Sequence, residues 1–155
     1  MKQEEVVLDK FSVVGISVRT TNQDYKSQDD IAKLWEIFLR NGYLESMPKV
    51  SDDIYCIYTD YESDYTGEYT TVLGYKVADA GSIPTNLSLT IKEIPSCKYY
   101  KYISEGELPY AVGKTWAHIW QSDVDRRYLA DFDVYGKEAK DPANAKITTY
   151  LSVNS

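Results

Sequence analysis

The sequence predicts an α+β fold in which a strand-helix-strand-strand unit occurs twice about a pseudo-twofold axis, with a cleft at the centre. Three observations predict it. Short runs rich in β-branched and aromatic residues alternate with just two stretches of helical periodicity. Their order repeats once across the turn-forming linker Asp79-Ala80-Gly81-Ser82-Ile83-Pro84. Matching positions also carry similar residues: Lys33-Leu34-Trp35 against Lys114-Thr115-Trp116, and Tyr55-Cys56-Ile57-Tyr58 against Phe132-Asp133-Val134-Tyr135. Two half-modules so related set equivalent strands about a shared cleft, a common place for a small-molecule site. The chain reads as a single domain over 1–155, with half-repeats at about 6–78 and 86–155.

In the first half, residues 10–18 are β-branched and predict a strand. Asp29-Asp30 opens a helix, because acidic groups favour the positive end of the helix dipole. Ile31, Leu34, Trp35, Phe38 and Leu39 form its apolar stripe, and Asn41-Gly42 ends it. Strands follow at 54–59 and 70–77, around the acidic, tyrosine-rich turn 60–69. In the second half, 87–94 and 97–103 predict strands with Pro95 breaking between them. Pro109 opens the second helix from its first turn. The stripe there is Val112, Thr115, Trp116, Ile119 and Trp120. Strands at 131–135 and 147–153 close the chain.

The length of 155 residues suits one domain with a real core, and the 43% hydrophobic and 26% charged composition is that of a globular protein. No apolar run is long enough to cross a bilayer, and the N-terminus lacks the apolar stretch of a signal peptide. Cys56 and Cys97 read as buried, reduced thiols, so the expected location is cytoplasmic. With 24 acidic against 17 basic residues the net charge is −7, which opposes direct nucleic-acid binding. The basic-aromatic run 98–102 reads as an amphipathic strand with solvated lysines. Tyrosine is in excess, 15 against 3 Phe and 3 Trp. Such an excess lines a cavity, clusters at an interface, or caps exposed strand positions.

The chemistry of known catalytic sites is mostly excluded. The one histidine, His118, lies on the second helix with neither cysteine near it in sequence, and no Gly-x-Ser-x-Gly elbow is present. One His and two separated Cys do not make a zinc site. Residues 60–64 alternate oxygen ligands, but the glycine is misplaced for a calcium loop. No phosphate-binding glycine loop exists, so no metal and no cofactor are expected.

What remains is acid with aromatics. In an extended strand side chains alternate between faces. Asp131, Asp133 and Tyr135 therefore share one face of 131–135, and Phe132 and Val134 the other. Asp131 reads as a solvated strand-start residue. Asp133, mid-strand between apolar neighbours, is the candidate floor of an aromatic box. The other candidates are Tyr135, Tyr58, Tyr75, Tyr69, Tyr100, Tyr65, Trp116 and Trp120, with core packing as the plain alternative for the tryptophans. A box of this kind suits an organic cation, since ring faces attract positive charge and a carboxylate neutralises it.

These residues, in their order and spacing, resemble the GyrI-like small-molecule-binding domain, the effector-binding module of bacterial drug-sensing regulators and of stand-alone integron-cassette proteins. The resemblance rests on Phe11-Ser12-Val13-Val14-Gly15-Ile16, the helix 31–38 with Asn41-Gly42, and Asp64-Tyr65-Thr66-Gly67-Glu68-Tyr69-Thr70 leading to Leu73-Gly74-Tyr75. Tyr99-Tyr100 leading to Gly106, the helix with Trp116 and Trp120, and Asp131-Phe132-Asp133-Val134-Tyr135-Gly136 complete it. It implies an antiparallel sheet with the two main helices packed outside and a central pocket that binds lipophilic cations. Asp133 stands where that family has a glutamate; one methylene shorter, its carboxylate sits deeper. The partner implied is a small cationic molecule, with no membrane and no direct nucleic acid. Any regulatory role would then need a separate regulatory protein or a homodimer. The resemblance also implies a rival function, hydrolysis of cyclopropane-bearing electrophiles by an acid and a tyrosine in the same pocket.

Overall fold

The β-branched and aromatic runs form an eight-stranded sheet in the computed structural model, which describes residues 2–40, 47–83 and 89–154. The elements are β1 (Gln3–Leu8), β2 (Phe11–Thr21), α1 (Lys26–Arg40), β3 (Lys49–Thr59), β4 (Glu68–Val77), β5 (Thr90–Ile94), β6 (Cys97–Gly106), α2 (Tyr110–Gln121), β7 (Ala130–Tyr135) and β8 (Ala145–Ser152). Across the sheet the order is β1-β6-β8-β7-β3-β4-β2-β5, with every neighbouring pair antiparallel. Each half therefore lays its strands in the same way, β2-β4-β3 and β6-β8-β7, and the halves meet at β3 and β7. The predicted α+β class and its pseudo-twofold are what the chain adopts.

Two short connections curl this sheet. β1 lies at one end of the order, yet only Asp9 and Lys10 separate it from β2, next to the other end. Such a link spans roughly 10 Å at full stretch, so the two ends of the sheet must come together. Pro95-Ser96 joins β5 to β6 in the same way. The exchange is reciprocal: β1 pairs with the first strand of the second half, β5 with the first strand of the first half.

The two faces of the curled sheet have different cores. Val13, Ile57, Val72, Tyr99 and Phe132 fill the concave side. On the other side α1 lays Leu34 and Phe38 against Leu73 and Tyr75, while α2 lays Val112, Trp116 and Ile119 against Tyr102 and Ile147. The helices thus flank the β3/β7 pair on the face that carries Asp133, and Phe132 points into the concave core.

Several boundaries depart from expectation. β1 is not legible in the sequence, because Gln3-Glu4-Glu5 hides its pattern; it is held as an edge strand by β6. The first helix begins at Lys26, ahead of the acidic pair, and Leu39 is 69% exposed because it falls off the buried stripe. Pro109 sits just before the second helix instead of inside it. The strand predicted from residue 87 is seen from Thr90, with 84–88 outside the described residues, as is the Asn41-Gly42 stop.

Candidate functional site

The sheet register builds the floor. Cys56 lies directly opposite Asp133, with Tyr135 opposite Ile54 and Tyr58 opposite Asp131. The pseudo-twofold passes through the Cys56/Asp133 pair, so Tyr58 and Tyr135 flank it from opposite ends. Each tyrosine carries a helix tryptophan across it. Trp116 of α2 packs edge-on against Tyr58 at 5.3 Å and 81°, and Trp35 of α1 against Tyr135 at 4.8 Å and 72°. Each half supplies one tryptophan that covers the other half's central strand.

Asp133 is 0% exposed. Tyr58 Oη donates to it at 2.7 Å, Thr149 Oγ1 donates from β8, and Trp116 Nε1 stands 3.3 Å from both carboxylate oxygens. All three donors are neutral. Burial outweighs them and pushes the carboxyl up to about 6. Tyr58 is held well above the usual phenol range, first by burial and then by the adjacent carboxylate. The Cys56 thiol, donating to Tyr58 Oη at 3.4 Å, is likewise pushed up by burial, which leaves it protonated and unreactive.

Asp131 corrects the reading of a solvated strand start: it too is 0% exposed. Its oxygens accept from Ser152 N at 2.7 Å, Ser152 Oγ at 2.9 Å, Tyr61 Oη, and Arg126 Nη2 at 2.9 Å. Arg126 neutralises it. Among the described residues no Lys, Arg or His does the same for Asp133.

The remaining candidates divide by place. Tyr75 is buried on the same face, under Phe38 and beneath the Lys49 ammonium. Tyr100 packs half-buried against the α2 cluster, opposite Leu151, away from Asp133. Tyr65 and Trp120, 36% and 39% exposed, stack on each other at 6.0 Å and 15° and form a rim one helical turn beyond Trp116. Tyr69 is buried edge-on against Tyr58 at 6.0 Å, while Trp35, Thr149, Tyr61 and Arg126 are not among the candidates. Trp35 could have been found from its match to Trp116, and Thr149 from strand parity; nothing in the sequence pairs Arg126 with Asp131.

The tyrosine excess is an interior feature. Of the described tyrosines only Tyr25, Tyr65 and Tyr110 are exposed. The side chains fill the cleft themselves: Trp116, 9% exposed, and half-buried Tyr58 close over Asp133. Among the described residues no helix is long and apolar enough to cross a membrane.

Comparison with known proteins agrees with this architecture. A Bacillus subtilis protein named as a putative transcriptional regulator, YobU, is 25% identical over 152 residues, 94% of each chain. The crystal structure of the integron cassette protein VCH_CASS2, from the mobile metagenome of Vibrio cholerae, superposes with a TM-score of 0.73 at 27% identity, over 98% of this chain and 95% of that one. The structure of SAV2435 bound to tetraphenylphosphonium shares the fold, with a TM-score of 0.79 at 16% identity over 100% and 95%. Residues 6–153 match the Cass2 description, so the chain belongs to the family of integron-associated effector binding proteins.

Proposed function

We propose that this protein binds amphipathic organic cations in the β3/β7 cleft, with Asp133 as the counter-charge, and serves in sensing or sequestering them. The observation that carries this reading is the unequal treatment of two buried carboxylates. Asp131 has its arginine, while Asp133 is surrounded by neutral donors and ring faces. A buried charge without a partner is costly, and a bound cation removes that cost. Tyr58, Tyr135, Trp116 and Trp35 supply the faces on which a lipophilic cation stacks. Tyr75 backs the floor, and Tyr65 with Trp120 forms the entrance; Tyr100 contributes through the packing of α2. Entry requires the indole of Trp116 to swing aside, and its two 3.3 Å contacts are the weakest of those holding Asp133. The ligand-bound neighbour, whose ligand is a lipophilic cation, supports the same class. A role in regulation would run through a separate DNA-reading protein or a homodimer, since a net charge of −7 does not suit a phosphate backbone.

The hydrolytic reading draws on the same acid and phenol, Asp133 and Tyr58, at 2.7 Å. Both carboxylate oxygens are engaged by side-chain donors, so neither is aimed at a substrate water. Stoichiometric binding of a cyclopropanoid electrophile without turnover, followed by mass spectrometry, is the expected outcome.

The deciding measurement is titration with tetraphenylphosphonium and a neutral isostere, in the wild type and in Asp133→Asn. The cation binds and raises the melting temperature, the neutral isostere does not, and the variant weakens the cation by roughly 2–5 kcal/mol. Unchanged affinity in the variant removes the assignment of Asp133.

A further inference from the structure

Beside Trp116 lies a second buried polar group, the Arg126 guanidinium. Its side chain is 6% exposed. Nη2 donates to Asp131 at 2.9 Å, but Nε and Nη1 are fully buried with no hydrogen-bond acceptor among the described residues. Rings hold the group in place: Tyr128 at 4.3 Å, Trp116 at 5.7 Å and Tyr61 at 5.9 Å from the central carbon. These faces compensate the charge in a diffuse way but supply no directed acceptor. A buried donor left unpaired costs about 1–3 kcal/mol. Tyr128 adds to that cost, since it holds φ at 54°, a left-handed conformation that bulky residues seldom adopt. The chain accepts both penalties at one place, beside the tryptophan that covers Asp133.

We propose that Arg126 is a donor subsite for a carbonyl or similar acceptor oxygen on the ligand. Asp131 and Asp133 share one face of β7 two residues apart, about 7 Å along the strand, so a ligand that pairs its cation with Asp133 carries that oxygen on an arm of comparable length. Asp131 cancels the charge of Arg126, so the subsite offers directed N–H groups without repelling a cation at Asp133. The ligand class narrows to amide- or ester-bearing organic cations. This inference rests on the cation-binding reading and fails separately from it.

The test is calorimetric titration with benzyltriphenylphosphonium and its 4-carbamoylbenzyl counterpart, which carries a neutral carbonyl at the required reach. The wild type prefers the carbamoyl probe by about tenfold, the worth of one good hydrogen bond to a buried donor. Arg126→Lys keeps a charge against Asp131 but loses the planar donors, and brings that ratio close to one. In 15N spectra the Arg126 Nε resonance of the wild type shifts with the carbamoyl probe and not with its parent, a readout independent of any variant. Equal wild-type affinity for the two probes overturns the inference and leaves the cation site standing. An unchanged preference in Arg126→Lys overturns it as well. If neither probe binds the wild type, both readings fall.

Discussion

Two carboxylates two residues apart on one strand face differ here only in their neighbours, and those neighbours set opposite properties. Asp131 meets a guanidinium and remains a structural ion pair. Asp133 meets three neutral donors in a fully buried position, and burial raises its proton affinity until the group titrates at about 6. The sign follows directly. With a folded pKa above that of the unfolded chain, the contribution of Asp133 to stability is fully present below about pH 4 and is lost as pH rises through about 6. Asp133→Asn removes that loss. At pH 7 it stabilises the unliganded protein by up to about 3 kcal/mol, at about 1.4 kcal/mol for each tenfold in proton affinity. Thermal melts from pH 4.5 to 7.5 check this; a variant whose melting temperature falls parallel to the wild type's contradicts it. On the proposed reading ligand affinity moves the other way: a cation would pair with the ionised form, so its Kd is expected to tighten between pH 5 and 7 and then level. A stabilising substitution that weakens binding is the signature of a site held ready at the expense of stability.

At the scale of elements, β2 and β4 pair at close backbone approach. Gly15 and Gly74 face each other in the register, and neither has room for a side chain. A Cβ on Gly15 would lie 2.0 Å from the Leu73 carbonyl oxygen, and one on Gly74 2.0 Å from that of Val14. Both clashes are with backbone, so relief requires the strands to part. Gly74→Ala is expected to destabilise by roughly 2–3 kcal/mol or more, as other forced overpacking does. Urea denaturation measures it, and a loss under 0.5 kcal/mol would show that the strands separate freely. The consequence reaches the site, because β4 positions β3, and β3 brings Cys56 and Tyr58 opposite β7.

At the scale of the whole molecule, two helices laid on one face of a curled sheet leave the β3/β7 seam between them, and the pseudo-twofold makes that seam aromatic from both sides. The protein around it carries a net charge of −7, so a cation approaches through an attractive field. The association rate of a cationic dye therefore falls as salt rises from 20 to 300 mM, while its dissociation rate changes little. Stopped-flow fluorescence of Trp116 and its neighbours reports both. An association rate indifferent to salt would mean that the acidic surface lies away from the entrance.

The sequence by itself determined the alternation that sorts Asp131, Asp133 and Tyr135 from Phe132 and Val134, the two amphipathic helices, and the repeat that matches Trp35 to Trp116. These are properties of local periodicity, carried by neighbouring residues whatever the rest of the chain does. The tertiary structure decided what those faces meet. Periodicity named an acidic face but not that both helices lie over it, since strand parity says nothing of which layer covers which side. The edge strand β1 escaped notice because its pattern is complete only beside β6. Asp131 looked solvated because the residue that neutralises it, Arg126, reaches it from a loop. Whether a buried acid is a structural ion pair or an unpartnered charge depends on groups that only folding brings within hydrogen-bond distance. That Asp133 lies mid-strand on the acidic face was legible; that it stands there with no cation among the described residues to pair it was not.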